Sequence, residues 1–346
     1  MRRLYLGKIM LRWCDSCHTP VLARTCACGA QTRAVAVTPP GDARPAFPDD
    51  VKRINRIYNE HFGAPLIPEG HIALLNKVPA EDRMDEIVLG GAVVGAIRYI
   101  PEDHRWEPLP RPNAALFMHP TKRYVVVDDG AVPSIRSGKA SVLAPGLISI
   151  DSAVARGDEV FILTKTGECI GVGRAKVDAA TARTMEKGAI VRTRKNSPAV
   201  CVPGAATWEE TVLANEPILA EYEAASIQFV QDVAAEHPLP PTVSYSGGKD
   251  SLATLLIVLK AIGPVPLLFA DTGLEFPETY ENVDTVAARY GLDLLRVCDE
   301  ETFWKEFEEQ GPPAVDNRWC CKVCKLHPLG RLIDEHWGEC LSFIGQ

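Results

Sequence analysis

The sequence predicts an α/β chain: a parallel-sheet domain over residues 201–346, preceded by a cysteine-bound segment (1–38), a small α+β connector (39–121) and a short-stranded β-barrel (122–200). Three observations predict it. After Pro241, strand-like runs alternate with helix-like ones (PTVSYS, KDSLATLLIVLKAI, PVPLLFAD, PETYENVDTVAARYG, LDLLRVC), the order that builds a parallel sheet covered by helices. Between Lys122 and Ser197, short apolar runs are separated by Gly130, Gly138, Pro145-Gly146, Gly157-Asp158 and Thr166-Gly167, the rhythm of a small barrel. Near the start, Cys14, Cys17, Cys26 and Cys28 form two close pairs in a segment too small for a core of its own.

A composition of 46% hydrophobic and 24% charged residues excludes a disordered or collagenous chain. No run of about 18 apolar residues occurs, and the opening MRRLYLGKIMLRWCDSC has no apolar signal core. The expectation is a cytoplasmic protein with no membrane partner. In that compartment the clustered cysteines among the eleven favour metal ligation over disulfides, and Cys169, Cys201 and Cys298 read as isolated small hydrophobes.

The elements follow in order. Zinc needs four soft ligands in a tetrahedron, and Cys14-x2-Cys17 with Cys26-x-Cys28 can supply them from two turns. His18 is surplus to that set and is expected in solvent. Pro39, Pro40, Pro45 and Pro48 mark a linker, and Val51, Ile54, Ile57 and Tyr58 recur at helical spacing, with Asp49 or Asp50 as expected N-cap. EIVLGGAVVGAIRYI reads as two strands around Gly90 and Gly91. Residues 207–237 read as a long helical stretch in which Pro217 marks a break or a helix start.

Charge is uneven along this order. Residues 1–38 and 121–200 each carry net +5, residues 39–120 carry −3 and residues 201–346 carry −15. A polyanion would therefore find its footing on the first and third segments.

The strongest motif is Ser244-Tyr-Ser-Gly-Gly-Lys-Asp-Ser251, between an apolar strand and an apolar helix. Gly247 and Gly248 allow a tight turn with exposed N–H groups, the helix from Lys249 adds its positive end, and Ser244, Ser246 and Ser251 offer hydroxyls beside Asp250. This is an anion cradle, and its spacing is not that of a Walker A loop. Downstream, Asp271-Thr272-Gly273 closes another strand, where Asp271 can accept a hydrogen bond from a ligand and Gly273 permits close approach beside the cradle.

At SGGKDS the chain resembles the PP-loop superfamily, which the resemblance implies binds ATP or a sulfonucleotide. Ala270-Asp-Thr-Gly-Leu-Glu-Phe-Pro-Glu-Thr279 resembles the corresponding segment of phosphoadenosine phosphosulfate (PAPS) reductases and adenylylsulfate reductases. Arg318-Trp-Cys-Cys-Lys-Val-Cys-Lys-Leu-His-Pro-Leu329 resembles their adjacent-cysteine segment, where Lys322 and Lys325 could meet a phosphate or sulfate. The resemblance implies that Cys320, Cys321 and Cys324 are candidate ligands of a [4Fe–4S] cluster or zinc, with Cys340 a substitute fourth. It also implies adenosine phosphosulfate, PAPS or ATP as ligand and an electron donor such as thioredoxin or ferredoxin. The family's nucleotide-gripping arginine loop and nucleophilic cysteine would follow the last strand, so the chain is expected to be part of a longer protein; no catalytic residue is assigned.

The amino-terminal cysteines resemble a zinc ribbon. Residues 122–197 resemble a PUA domain on Val125–Val132, Gly138–Gly146, Gly157–Val160 and Gly171–Ala175, which implies RNA binding, with Arg136, Lys139 and Arg174 facing phosphate. Ribbon, barrel and PP-loop domain together resemble an archaeal-type arrangement. The favoured function is sulfonucleotide binding and, in the intact enzyme, reduction to sulfite. The alternatives are a tRNA-modifying or sulfur-inserting enzyme working by adenylation, and a non-catalytic RNA-binding module.

Overall fold

The structure, a computed structural model, describes residues 10–138, 140–196, 198–298, 300–314 and 316–345. The chain divides into two compact units, one ending at Ile218 and the other beginning at Leu219. Among the described residues no helix is long and apolar enough to cross a membrane.

The first unit opens with a three-stranded antiparallel sheet, β1 (Arg12–Cys14), β2 (Thr19–Val21) and β3 (Arg33–Ala34), with β1 in the middle. Next come β4 (Ala43–Pro45), α1 (Pro48–Phe62), β5 (Leu74–Val78), β6 (Met84–Leu89), β7 (Ala92–Ile100) and β8 (Arg105–Pro110). These strands form an antiparallel sheet in sequence order. The strands read around Gly90 and Gly91 are β6 and β7. Their turn needs glycine: Gly91 has φ +72°, and a Cβ there would lie 2.4 Å from the Trp13 ring. The Gly90 and Gly91 carbonyls each accept a 2.6 Å bond from Arg33, which ties the cysteine segment to this sheet.

The α1 start differs from expectation. Phe47 stands at the N-cap, and Asp50, three residues on, accepts the Phe47 N–H at 3.1 Å. The carboxylate is more useful there because it also receives Arg44 and Arg53, each at 2.6 Å, and with Arg44 foremost these bonds hold its pKa below the usual range.

The barrel comprises β9 (Tyr124–Val127), α2 (Val132–Gly138), β10 (Val142–Leu143), β11 (Leu147–Ile150), β12 (Glu159–Leu163), β13 (Cys169–Ala175), α3 (Ala179–Thr184) and β14 (Ala189–Lys195). The strand order is β10-β14-β13-β12-β9-β11, with β9 and β12 parallel and the other pairs antiparallel. Its interior holds Val125, Val127, Val160, Ile162, Ile190 and Val191. Connector and barrel are not separate bodies: Phe161 and Val172 join Tyr58, Phe62, Ile87 and Ile97 in one buried cluster, and the Phe62 and Phe161 rings meet edge to face at 5.0 Å.

Pro217 does not break the helix. One helix, α4 (Trp208–Glu236), runs through it. A helical proline leaves the carbonyl four residues back, here that of Leu213, without its usual donor. Here the cysteine segment uses that turn: the Ala214 carbonyl accepts the Ala27 N–H at 3.3 Å. Buried Asn215 accepts Leu22 N–H and donates to the Pro20 carbonyl, both at 2.9 Å.

The second unit contains β15 (Pro241–Ser244), α5 (Lys249–Ile262), β16 (Leu267–Asp271), α6 (Pro277–Tyr290), β17 (Leu294–Cys298), α7 (Glu300–Gln310), α8 (Trp319–Cys321), a π turn (Lys322–Leu326), α9 (His327–His336) and β18 (Leu341–Ile344). The sheet is parallel in order β17-β16-β15-β18. Successive strands step one way from β15 to β17, and the chain then returns to the other side of β15. That reversal is the topological switch point, where α/β sheets bind ligands beyond the carboxyl ends of their strands.

The shared core predicts a shared transition. Phe161→Ala should cost about 3–5 kcal/mol. In a denaturant titration, fluorescence of Trp106 in the connector and a probe in the barrel should shift together. Independent midpoints would show that the two pieces fold separately.

Candidate functional site

The cradle forms at the carboxyl end of β15, the strand flanking the switch point. Ser246 N–H donates to Ser251 Oγ at 3.2 Å, the two hydroxyls lie 3.2 Å apart, and Ser251 Oγ donates to the Gly248 carbonyl at 2.9 Å. The loop is thus closed on itself by Ser251, which is 5% exposed. Ser244 Oγ lies 3.1 Å from Ser342 Oγ on β18.

The two glycines have different reasons. Gly247 has φ +77°, which disfavours any side chain, and a Cβ would press on Thr279 Cγ2 at 3.2 Å. Gly248 has φ −87° and caps α5, and a Cβ there would meet only Ser246 Oγ at 3.5 Å. Nothing in the fold demands glycine at 248, but a Cβ there would take up room at the mouth of the loop, where the helix amino end attracts an anion. Lys249 pairs at 2.8 Å with Asp250, both exposed. Such a pair is weak and can reopen toward a stronger anion.

Asp271, Thr272 and Gly273 lie at the end of β16, beside β15. Asp271 is 7% exposed, and its Oδ1 accepts Gly273 N–H at 2.9 Å and the Tyr280 hydroxyl at 2.7 Å. Thr272 Oγ1 donates to Glu275 at 3.1 Å. Tyr280 was not singled out by sequence reasoning, although it directly follows the quoted Pro277-Glu-Thr segment. Gly345 was also missed: a Cβ there would lie 2.5 Å from the Asp250 carbonyl, so the chain after β18 passes against the first turn of α5.

The second cysteine group sits on α8 and the π turn, which packs against β16. Cys324 is buried beside Phe303 and Trp319, Cys320 is half-buried, and Arg318 donates to Cys321 Sγ at 3.5 Å. Lys322 and Lys325 are exposed. Cys340 lies just ahead of β18, with Thr242 Oγ1 3.6 Å from its sulfur. Among the described residues these four thiols do not converge on one point as metal ligands do.

The amino-terminal cysteines do converge. The Sγ atoms of Cys14, Cys17, Cys26 and Cys28 all lie within 4.8 Å of one another, with Cys14 to Cys28 at 3.7 Å and Cys17 to Cys26 at 3.9 Å. Four sulfurs about 2.3 Å from a tetrahedral zinc stand about 3.8 Å apart, so the site fits the ion. Gly29, with φ +87°, turns the chain after Cys28, and the Cys26 N–H bonds the Ala30 carbonyl at 2.9 Å. The Ala30 N–H draws the Cys28 thiol down to about 7, whereas burial pushes those of Cys17 and Cys26 up, a cost that a bound cation offsets. Zinc there would be structural. His18 is not in solvent as expected: its ring lies against Gly204, and its Nδ1 is buried with no hydrogen-bond partner among the described residues.

On the barrel, Arg136 pairs with Glu168, while Arg174 donates to the Gly157 carbonyl at 2.7 Å and reaches Glu107 at 4.0 Å. Lys139 lies outside the described residues. Sequence reasoning missed Arg192, which sits directly opposite Arg174 across β13 and β14, both exposed. Like charges in that position oppose pairing. Beside them Arg194 is held by buried Glu159 at 2.6 Å and Lys176 is exposed.

Comparison with known proteins matches residues 240–346 to the phosphoadenosine phosphosulfate reductase domain and residues 123–196 to the PUA domain. Uncharacterized protein MJ0066 of Methanocaldococcus jannaschii is 36% identical over 99% of this chain and 74% of its own length. Sulfate adenylyltransferase subunit 2 of Photorhabdus laumondii is 44% identical over 81 residues, 22% of this chain and 26% of that protein. A conserved PUA domain protein from Thermoplasma acidophilum aligns with 46% of this chain and 95% of its own, at 22% identity and TM-score 0.37.

The metal site predicts that protein purified without chelator carries about one zinc per chain by elemental analysis. Cys26→Ser should lose that zinc and expose the segment to protease, since binding supplies its folding energy. Metal-free wild-type protein with an intact segment would contradict the site.

Proposed function

The chain belongs to the family of MJ0066, with a PUA domain ahead of a PAPS reductase domain, and from that premise we propose that it binds an adenine nucleotide whose phosphate or sulfate sits in the Ser246–Ser251 loop. The observation that carries the reading is Gly248: neither its backbone angle nor its packing requires glycine, and it lies where the switch point, the helix amino end and the Ser251-closed loop converge. An anion held by backbone N–H groups needs the approach that a Cβ would block. Asp271, 7% exposed at the neighbouring strand end, would repel phosphate and so faces the nucleoside half.

The favoured reaction is sulfonucleotide reduction. A thiolate attacks the sulfur, the sulfur–oxygen bond to phosphate breaks and the adenosine phosphate leaves. A second thiol then releases sulfite as the two thiols become a disulfide, which a dithiol donor such as thioredoxin reduces. This chain's cysteines receive no role in that step.

One observation favours a second reading, RNA modification by adenylation. The opposed Arg174 and Arg192, with Lys176 and Arg194 beside them, form a cationic face that pairing alone disfavours and that a phosphate backbone would relieve. Arg136, already paired with Glu168, is the weaker candidate.

Two measurements test these readings. Calorimetric titration with ATP, adenosine phosphosulfate and PAPS should give binding to wild type and at least about a hundredfold loss in Gly248→Val, a difference near 2.7 kcal/mol, with unchanged thermal unfolding. Equal affinity in both proteins would reject the site. For RNA, replacing Arg174 and Arg192 with Ala should flatten the log–log salt dependence of tRNA binding by roughly one unit per lost phosphate contact, while Arg136→Ala changes it less. Wild-type protein with no salt-dependent tRNA affinity would remove the second reading.

A further inference from the structure

We infer that Tyr280 is a positioning residue that fixes Asp271 as the hydrogen-bond acceptor for the nucleoside half of the bound nucleotide. The inference rests on the nucleotide reading above and extends it to a residue outside the loop and strand-end motifs.

Asp271 is buried at the carboxyl end of β16, beside the cradle strand. The Tyr280 hydroxyl donates to its Oδ1 at 2.7 Å, and Gly273 N–H donates to the same oxygen at 2.9 Å. Among the described residues no donor falls on Oδ2. Two donors on one oxygen fix the rotation of the carboxylate and leave the other oxygen to a donor from outside the protein. An adenine nucleotide carries two kinds of donor that suit it, a ribose hydroxyl and the base amino group, whereas its phosphates carry the wrong charge.

Tyr280 is itself held. Its ring meets Phe269 edge to face at 6.1 Å, and the Arg296 guanidinium lies over both rings, 5.4 Å from Phe269 and 5.7 Å from Tyr280. Arg296 is held in turn at 2.6 Å by Asp284, one helical turn after Tyr280 on α6. β16 supplies Phe269 and Asp271, α6 supplies Tyr280 and Asp284, and β17 supplies Arg296, so three elements orient one phenol. The bond to Asp271 pushes the phenol up to about 12, so it stays protonated and donating at neutral pH.

A merely structural Tyr280 would pin α6 to β16 and nothing more, so the test separates nucleoside from phosphate recognition. Calorimetry would compare ATP with inorganic tripolyphosphate in wild type, Tyr280→Phe and Asp271→Asn. The expected result is about tenfold weaker ATP binding in each variant with tripolyphosphate changed less than about twofold. The double variant should be no weaker than either single one, because both changes remove the same contact. 2′-DeoxyATP, 3′-deoxyATP and inosine triphosphate identify the donor: the analogue whose affinity Tyr280→Phe leaves unchanged lacks it. Equal loss for ATP and tripolyphosphate, or a tenfold loss retained by all three analogues, would overturn the inference. Without any ligand, ultraviolet titration should find one tyrosine moving from about 12 toward its ordinary value of about 10 in Asp271→Asn, and no movement would contradict the contact. Wild type that binds none of ATP, adenosine phosphosulfate and PAPS would reject the nucleotide reading itself. Wild type and Tyr280→Phe binding ATP alike would reject only the role of Tyr280.

Discussion

The reversal of strand order at β15 constrains the second unit. β16 and β17 are laid down on one side of β15 and β18 on the other, all parallel. The connection leaving β15 through α5 therefore runs toward β16, while the chain comes back through α9 to β18 on the other side, and the end of β15 lies at that switch point. The loop placed there is Tyr245–Gly248, closed from below by Ser251. Its glycine at positive φ, its helix amino end and its hydroxyls matter chemically because the sheet order puts them at an opening; in the middle of a regularly stepped sheet the same loop would be covered.

How much of this was legible follows from how far apart in sequence the cooperating residues lie. The cradle was legible because Ser246, Gly247, Gly248 and Ser251 act within six residues, and the four-thiol site because its pairs fall within fifteen. The Tyr280 bond to Asp271 spans nine residues and depends on α6 returning over β16, and Arg296 joins it only through the register of β17. The facing of Arg174 and Arg192 is set by the pairing of β13 with β14, which no local pattern specifies. Pro217 misled for a related reason. Read alone it breaks or starts a helix, but one helix runs through it, and Ala214 and Asn215 in the turn before it bond residues nearly two hundred positions earlier. Asp50 reads as a cap because acidic residues begin helices, and its place three residues in is set by Arg44 and Arg53.

The first unit shows a different economy. Connector and barrel share one aromatic and aliphatic core around Phe62 and Phe161, so neither needs to be stable alone. The cysteine segment has little core, and its four thiols lie at separations suited to a tetrahedral cation. Its attachments are apolar and polar together: Trp13 and Val35 pack with Ile72, Leu74 and Val88, Arg33 bonds two glycine carbonyls, and Asn215 bonds the backbone at Pro20 and Leu22. The net charge of +5 over residues 121–200 gathers in part on the strand pair β13 and β14, where Arg174, Arg192 and Arg194 lie close together above only partly compensating carboxylates. A cationic face of that kind suits a polyanion, while the strongly acidic second unit can accept an anion only where local N–H groups outweigh its net charge.

The central claim is therefore that backbone N–H groups of one loop hold the anionic end of an adenine nucleotide. Amide nuclear magnetic resonance of deuterated protein titrated with ATP tests it most directly. The largest shifts should fall on the N–H signals of Gly247, Gly248, Lys249 and Asp250, with a second group at Asp271–Gly273, and Gly248→Val should abolish both. Saturable shifts centred elsewhere, with those signals unmoved, would contradict the account.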